Sequence, residues 1–152
     1  MQDFDADIEG VQTASFSGER AAIYIKHKHL GIAPLSVCGD ATRRAVLLTS
    51  TLLSLKDGGV LFIDEVEVGI HVTALANVFS WLVKAARRLN VQVFVTTHSL
   101  EALDAITFSD NDLAEEDIVV FRLTQTEEKT ESKRLSGDLL HRLRFERGLD
   151  VR

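Results

Sequence analysis

Val60-Leu61-Phe62-Ile63-Asp64-Glu65 runs four apolar side chains straight into two carboxylates. A short, unbroken apolar run is what a strand covered on both faces needs, as in the middle of a parallel sheet. Ending it on two acidic groups is costly unless they find partners or a task. Downstream, Leu75, Val78, Phe79, Leu82, Val83, Ala86 and Leu89 recur at intervals of three and four. They predict a helix with one apolar stripe, stopped at Asn90. Val91–Val95 is a second apolar strand, and it leads into Thr96-Thr97-His98-Ser99. Ser99 is placed to cap a short helix over Leu100–Ile106.

Upstream, Thr42–Leu55 predicts a helix apolar on most of its surface and hence buried, ended by Gly58-Gly59. Val11–Ser15 and Ala21–Lys28 predict an antiparallel hairpin turning at Ser17-Gly18-Glu19, and Gly31–Asp40 a loop. Beyond the short helix, Phe108–Asp117 reads as an acidic loop and Ile118–Leu123 as a strand. Lys133–Leu135 pairs near that strand, and Gly137–Arg147 reads as a final helix. Helix and apolar strand alternate through the middle of the chain. The fold class is therefore α/β, a largely parallel sheet with flanking helices. In such sheets ligands bind beyond the carboxyl ends of the strands. Asp64, Glu65 and His98 reach that edge from two different strands.

The 152 residues suffice for one domain with a core. A net charge of -6 argues against a broad nucleic-acid-binding face. Arg142, Arg144 and Arg147 read as a solvated helix face. Cys38 is the one cysteine, so no intrachain disulfide forms, which fits a reducing compartment. No His–Asp arrangement marks it as a nucleophile. The acidic N-terminus is no signal peptide, and the apolar run from Ala45 to Ile63 is broken at residues 56–59. No membrane span is expected, and the expected location is the cytoplasm. Lys26-His27-Lys28-His29 reads as a solvated edge strand, with no Cys or carboxylate nearby to complete a metal set.

One carboxylate of the Asp64–Glu65 pair can hold Mg²⁺, directly or through water. The next can orient or deprotonate an attacking water. A histidine at a strand end can donate to a phosphate or to a reacting water. Ser36, Gly39 and Asp40 precede a helix, where free amides and the helix dipole face an anion. Arg43 and Arg44 lie in the first turn, where that dipole disfavours cations, so they are expected either to meet an external acidic group or phosphate or to be solvated. Glu67, Gly69 and His71 follow the acidic pair, either as a loop over the site or as a connecting turn. Each segment alone has a plain structural reading: an acidic strand end, a turn histidine, a helix cap. The acidic pair and the histidine gain weight from their separation by about one crossover helix.

In this order the segments resemble the AAA_15/AAA_21 group of ATPases. These are ABC-type ATPases related to the overcoming-lysogenization-defect nucleases and to chromosome-maintenance and repair ATPases. The likeness runs from Leu35 to Leu103 and is most specific in Val60–Ser99. It is weaker at Asp5–Val11 and at Gly148–Arg152. The resemblance implies the fold of an ABC-type P-loop NTPase, with ATP and Mg²⁺ as cofactors. It makes Asp64 the Walker B aspartate on Mg²⁺, Glu65 the catalytic glutamate and His98 the switch histidine sensing the γ-phosphate. Ser36, Gly39 and Asp40 become signature residues that meet nucleotide on the opposite subunit. Glu67, Gly69 and His71 become a D-loop at a homodimer interface.

Two departures qualify this. Relatives often carry glycine where Ala41 stands, and alanine serves only if the backbone needs no positive φ there. More seriously, the phosphate-cradling Gly-x-x-x-x-Gly-Lys-[Ser/Thr] is missing: none of the six lysines follows a glycine. The Q-loop is missing as well. The expected chain is thus the C-terminal lobe of an ATPase domain, as a truncated product or a split subunit. It divides into a β-hairpin region (1–34), a core of signature helix, Walker B and His-switch (35–107), and C-terminal strands and helix (108–152). It needs a P-loop-containing lobe or ATPase partner, and whether it is an enzyme by itself is open. One alternative is a non-catalytic module docking on an intact ATPase. Another is a toprim-like Mg²⁺ nuclease using Asp64, Glu65 and Glu67, which leaves His98 and the signature segment unexplained.

Overall fold

A computed structural model describes residues 5–15, 18, 20–55, 58–108, 118–126 and 129–151. Strands β1 (Ile8–Ala14), β2 (Ala22–His27) and β3 (Gly31–Pro34) form an antiparallel sheet in that order. The expected hairpin is present, but its turn at Ser17 and Glu19 lies outside the described residues. Residues 31–34, expected in a loop, are a third strand instead, with His27 opposite Gly31 and Tyr24 opposite Pro34. Pro34 sits at its end, where a missing N–H is tolerated.

A 3₁₀ turn at Leu35–Val37 leads into α1 (Asp40–Ser54). The helix starts two residues before the apolar pattern does. Gly39 is the extended cap residue, and Asp40 puts its charge at the positive end of the dipole. The expectation of an all-round buried helix is corrected. Ala45, Val46, Leu48 and Leu52 are buried, while Leu47 and Leu53 face outward. Thr49, Ser50, Thr51 and Ser54 each donate to the carbonyl four residues back, which satisfies their hydroxyls within the helix.

Strands β4 (Gly59–Ile63) and β5 (Val91–Val95) pair in parallel, with Ile63 opposite Val95. Their crossover is α2 (Val72–Arg88). His71 lets it start ahead of its stripe, because the ring Nδ1 accepts the Thr73 amide at 3.4 Å. Leu75, Val78, Phe79, Leu82 and Ala86 are buried as the stripe predicts, and Trp81 and Ala85 join them. Asn90 stops the helix in the left-handed region, at φ 53. Ser99 caps α3 (Leu100–Phe108), its Oγ accepting the Ala102 amide at 3.1 Å.

Residues 109–117, most of the expected acidic loop, lie outside the described residues. Strand β6 (Val119–Gln125) does not extend the parallel pair. It forms a separate antiparallel ribbon with β7 (Thr130–Ser136), whose ladder matches it from end to end. Parallel pairing among the described residues is thus confined to β4 and β5. The expected final helix divides into α4 (Gly137–His141) and a wider π-helical turn at Arg142–Glu146.

Three apolar clusters join these parts. The largest packs Leu52, Ile63, Val66, Phe79, Trp81 and their neighbours between β4, β5 and the helices. Leu103, Leu135, Leu140 and Val151 tie the C-terminal segment to α3. Ile8, Ile25 and Val46 seat the first sheet on α1. The pair β4–β5 is covered on one face only, against the expectation of two covered faces. Val60, Phe62 and Phe94 remain 47%, 75% and 45% exposed. The Phe62 and Phe94 rings stack on each other with centroids 5.1 Å apart.

Candidate functional site

Past β4 the chain turns twice, with Val68 donating to the Glu65 carbonyl and Ile70 to the Glu67 carbonyl. Thr96, just past β5, fixes the start of this segment with all its polar groups. Its amide donates to Ile63 O at 3.0 Å, and its carbonyl accepts from the Val66 amide at 3.0 Å. Its hydroxyl accepts from the Glu65 amide at 2.9 Å and donates to the Asp64 carboxylate. Val66 is fully buried and pulls the turn onto the core. Asp64 and Glu65 are left exposed on a fixed backbone. Glu65 holds φ 45, a left-handed conformation that costs an L residue about 1–2 kcal/mol. Strain of this kind clusters at functional sites.

Glu67 faces the same loop from the other side. Its Oε1 accepts the His98 amide at 3.0 Å, while Oε2 is buried with no partner at bonding geometry. Burial opposes ionisation of this carboxyl. The Thr97 hydroxyl and the amides of Glu67, His98 and Ser99 outweigh it and hold the group below its ordinary value of 4.5. Sequence alone offers Thr96 and Thr97 as helix caps, and Glu67 as a loop, D-loop or nuclease carboxylate, without the bond from Glu67 to the His98 loop. The available signal was the pairing of a third carboxylate with a run of hydroxyls and free amides.

On the other side of the segment, Asp40, Arg43, Arg44 and Leu47 of α1 face Val68 and Gly69 across an open groove of about 310 Å³. Gly69 takes φ 77, which a side chain would resist, and a Cβ there would lie 3.9 Å from that of Asp40. The two first-turn arginines find acceptors within the chain. Arg43 pairs with Asp40, and Arg44 Nη2 lies 3.4 Å from the Glu65 carbonyl. Ala41 has no positive φ, so nothing in α1 requires glycine there.

The structure therefore gathers Asp64, Glu65, Glu67 and His98 through Thr96 and Thr97, and sets Asp40 across the groove. Ser36 is exposed in the 3₁₀ turn and Gly39 caps α1. Neither bonds to the gathered group among the described residues. The His71 ring is occupied as the cap of α2. Asp64 fits a hard cation: one oxygen takes the Thr96 hydroxyl, and oxygen donors suit Mg²⁺. Among the described residues no run of glycine amides stands ready to cradle a triphosphate.

A second cluster corrects the reading of the histidine-rich strand. Asp5 and Asp7 bring carboxylates to His27, the three ligand atoms lying within 4.8 Å of one another. His27 Nδ1 accepts the amides of His29 at 3.2 Å and Leu30 at 3.4 Å. Lys28 Nζ stands 3.7 Å from Asp7. One carboxylate of this cluster therefore already has a cationic neighbour. The Cys38 thiol donates to the Pro34 carbonyl at 3.6 Å and packs against the Ile8–Ile25–Val46 cluster. Of the C-terminal arginines, Arg142 and Arg147 are exposed as a solvated face requires, with Arg142 paired to Asp138, whereas Arg144 is shielded and forks onto Asp104.

The family model for AAA domains of the AbiEii-toxin, type IV toxin–antitoxin kind matches residues 2–104. The chain belongs to the AAA_21 family. Protein MJECL11 of Methanocaldococcus jannaschii is 39% identical to this AAA_21 chain over 61 residues, 40% of the chain and 54% of that protein. The match thus spans about half of the relative's length. Among solved structures, one from work on ATP-driven dimerization and DNA-stimulated activation of SMC ATPases superposes with a TM-score of 0.65. It does so at 8% identity, over 98% of this chain and 86% of that chain. The AAA_21 chain therefore has the mixed α/β fold of an SMC-type ATPase, a P-loop NTPase fold. No helix among the described residues is long and apolar enough to cross a membrane.

Proposed function

We propose that this AAA_21 chain supplies the hydrolytic half of an ATPase site in the cytoplasm. The observation that carries the reading is the bonding centred on Thr96 and Glu67, which sets Asp64, Glu65 and His98 at one sheet edge. Asp64 would hold Mg²⁺, whose charge offsets that of the phosphates. Glu65 would orient and deprotonate the attacking water. His98 would donate to the γ-phosphate. Ser36, Gly39 and Asp40 would meet nucleotide held by an opposite subunit. Gly69 and the loop around it would then lie at a homodimer interface, in keeping with the ATP-driven dimerization of the SMC neighbour.

The phosphate cradle must come from a P-loop-containing lobe, on the same polypeptide or a separate one. The bare apolar face at Phe62 and Phe94 supports such a lobe, since exposed stacked aromatics favour burial. The nuclease alternative loses support because Glu67 is engaged with the His98 loop.

Calorimetry with ATP–Mg²⁺ is expected to show no micromolar binding by the chain alone. Adding the P-loop lobe is expected to give hydrolysis that Glu65→Gln lowers by roughly 10²–10⁴-fold. Tight ATP binding by the lone chain, or full activity in Glu65→Gln, sinks the proposal. Binding of the lobe with no hydrolysis would mark a docking module instead.

A further inference from the structure

Glu67 takes no part in the proposed chemistry itself, yet its carboxylate is built into the fold beside His98. It is half-buried, and its acceptor bond spans 31 residues, from the turn after β4 to the loop after β5. That loop is fastened at both ends. Thr96 is locked into the continued ladder with Ile63 and Val66, and Ser99 is committed as the cap of α3. Thr97 turns its hydroxyl toward the Ser99 amide at 3.0 Å. Between these anchors, His98 has one tether among the described residues, the bond from its amide to Glu67 Oε1 at 3.0 Å. Its ring extends into solvent from that point.

We propose that Glu67 is a positioning residue for His98: its carboxylate fixes the His98 backbone and so aims the ring at the reacting phosphate. The inference rests on the proposed role of His98 for its meaning and on this geometry for its substance. A bond from an amide to a carboxylate is shorter and stronger than one between neutral groups, which suits a residue with a single tether. Glutamine at 67 keeps a carbonyl oxygen at the same reach. Alanine removes the acceptor.

The test uses the ¹⁵N-labelled 152-residue chain without nucleotide. Amide hydrogen exchange and the amide proton shift of His98 are read in wild type, Glu67→Gln and Glu67→Ala, with Phe79 and Leu82 of α2 as references. In Glu67→Ala the His98 amide is expected to exchange roughly tenfold faster and to shift upfield. Glu67→Gln is expected to stay within about threefold of wild type, and the reference amides to stay unchanged. Unchanged His98 exchange in Glu67→Ala overturns the proposal. So does equal acceleration at Phe79 and Leu82, which would make Glu67 a general support of the fold. With the P-loop lobe added, Glu67→Ala is expected to lower kcat at unchanged KM, and Glu67→Gln to restore it. A wild-type complex that hydrolyses nothing counts against the ATPase reading and leaves the exchange result to decide the tether.

Discussion

Glu65 occupies a left-handed backbone at φ 45, where glycine would be more comfortable. Two variants that both lack the carboxylate isolate that strain: Glu65→Gly is expected to be about 1 kcal/mol more stable than Glu65→Ala in chemical denaturation. The opposite order would remove the strain argument. Thr96 is the second residue with a measurable share. Thr96→Val loses the hydroxyl that serves both Asp64 and the Glu65 amide, and should cost about 1 kcal/mol, whereas Thr96→Ser should stay near wild type. Glu67 adds a pH dependence of defined sign. Its folded pKa lies below the ordinary 4.5, so its stabilising contribution is complete above that value and is lost as pH falls through the folded pKa. The difference in Tm between wild type and Glu67→Gln should be constant near neutrality and shrink below pH 4.5. Asp64, Glu65 and His98 stood out in the sequence because each closes an apolar strand. Thr96 did not, and Glu67 stood out as a loop or D-loop residue but not as the partner of His98, because a hydroxyl or a third carboxylate acquires its partner only when β4 and β5 align.

Among the elements, α2 was the most legible, since a stripe repeated over several turns has one plausible face. Its true start was hidden, because an imidazole cap at His71 is not among the usual side-chain signals. Strand β3 was hidden for a related reason: Gly31 and Pro34 are turn residues by habit, and only pairing with β2 makes them a strand. The ribbon β6–β7 shows another limit, for periodicity predicts a strand without naming its neighbour. The C-terminal segment hangs on a bond no local pattern reveals. Arg144 Nε and Nη2 reach the two oxygens of Asp104 at 2.8 and 2.6 Å, and Nη1 reaches the Leu149 carbonyl at 3.0 Å. Both ion-pair side chains are largely shielded, at 18% and 29% exposure. Arg144→Ala should therefore cost about 1–3 kcal/mol and speed hydrogen exchange at Val151, and lysine should rescue it poorly. Unchanged exchange at Val151 would separate that bond from the seating of the tail.

For the molecule as a whole, the informative surface is the uncovered side of β4–β5. Phe62→Ser with Phe94→Ser should cost about 1 kcal/mol, for the lost ring stacking, and should weaken capture of the P-loop lobe in a pull-down. Undiminished capture would place the lobe elsewhere. The same surface bears on how the chain fares inside a cell. An apolar patch held permanently in water invites self-association and attention from chaperones and proteases. A copy that fails to find its cover is then a copy at risk, and abundance becomes tied to stoichiometry. Expressed alone, the chain should accumulate poorly; expressed beside whatever shields Phe62 and Phe94, it should persist.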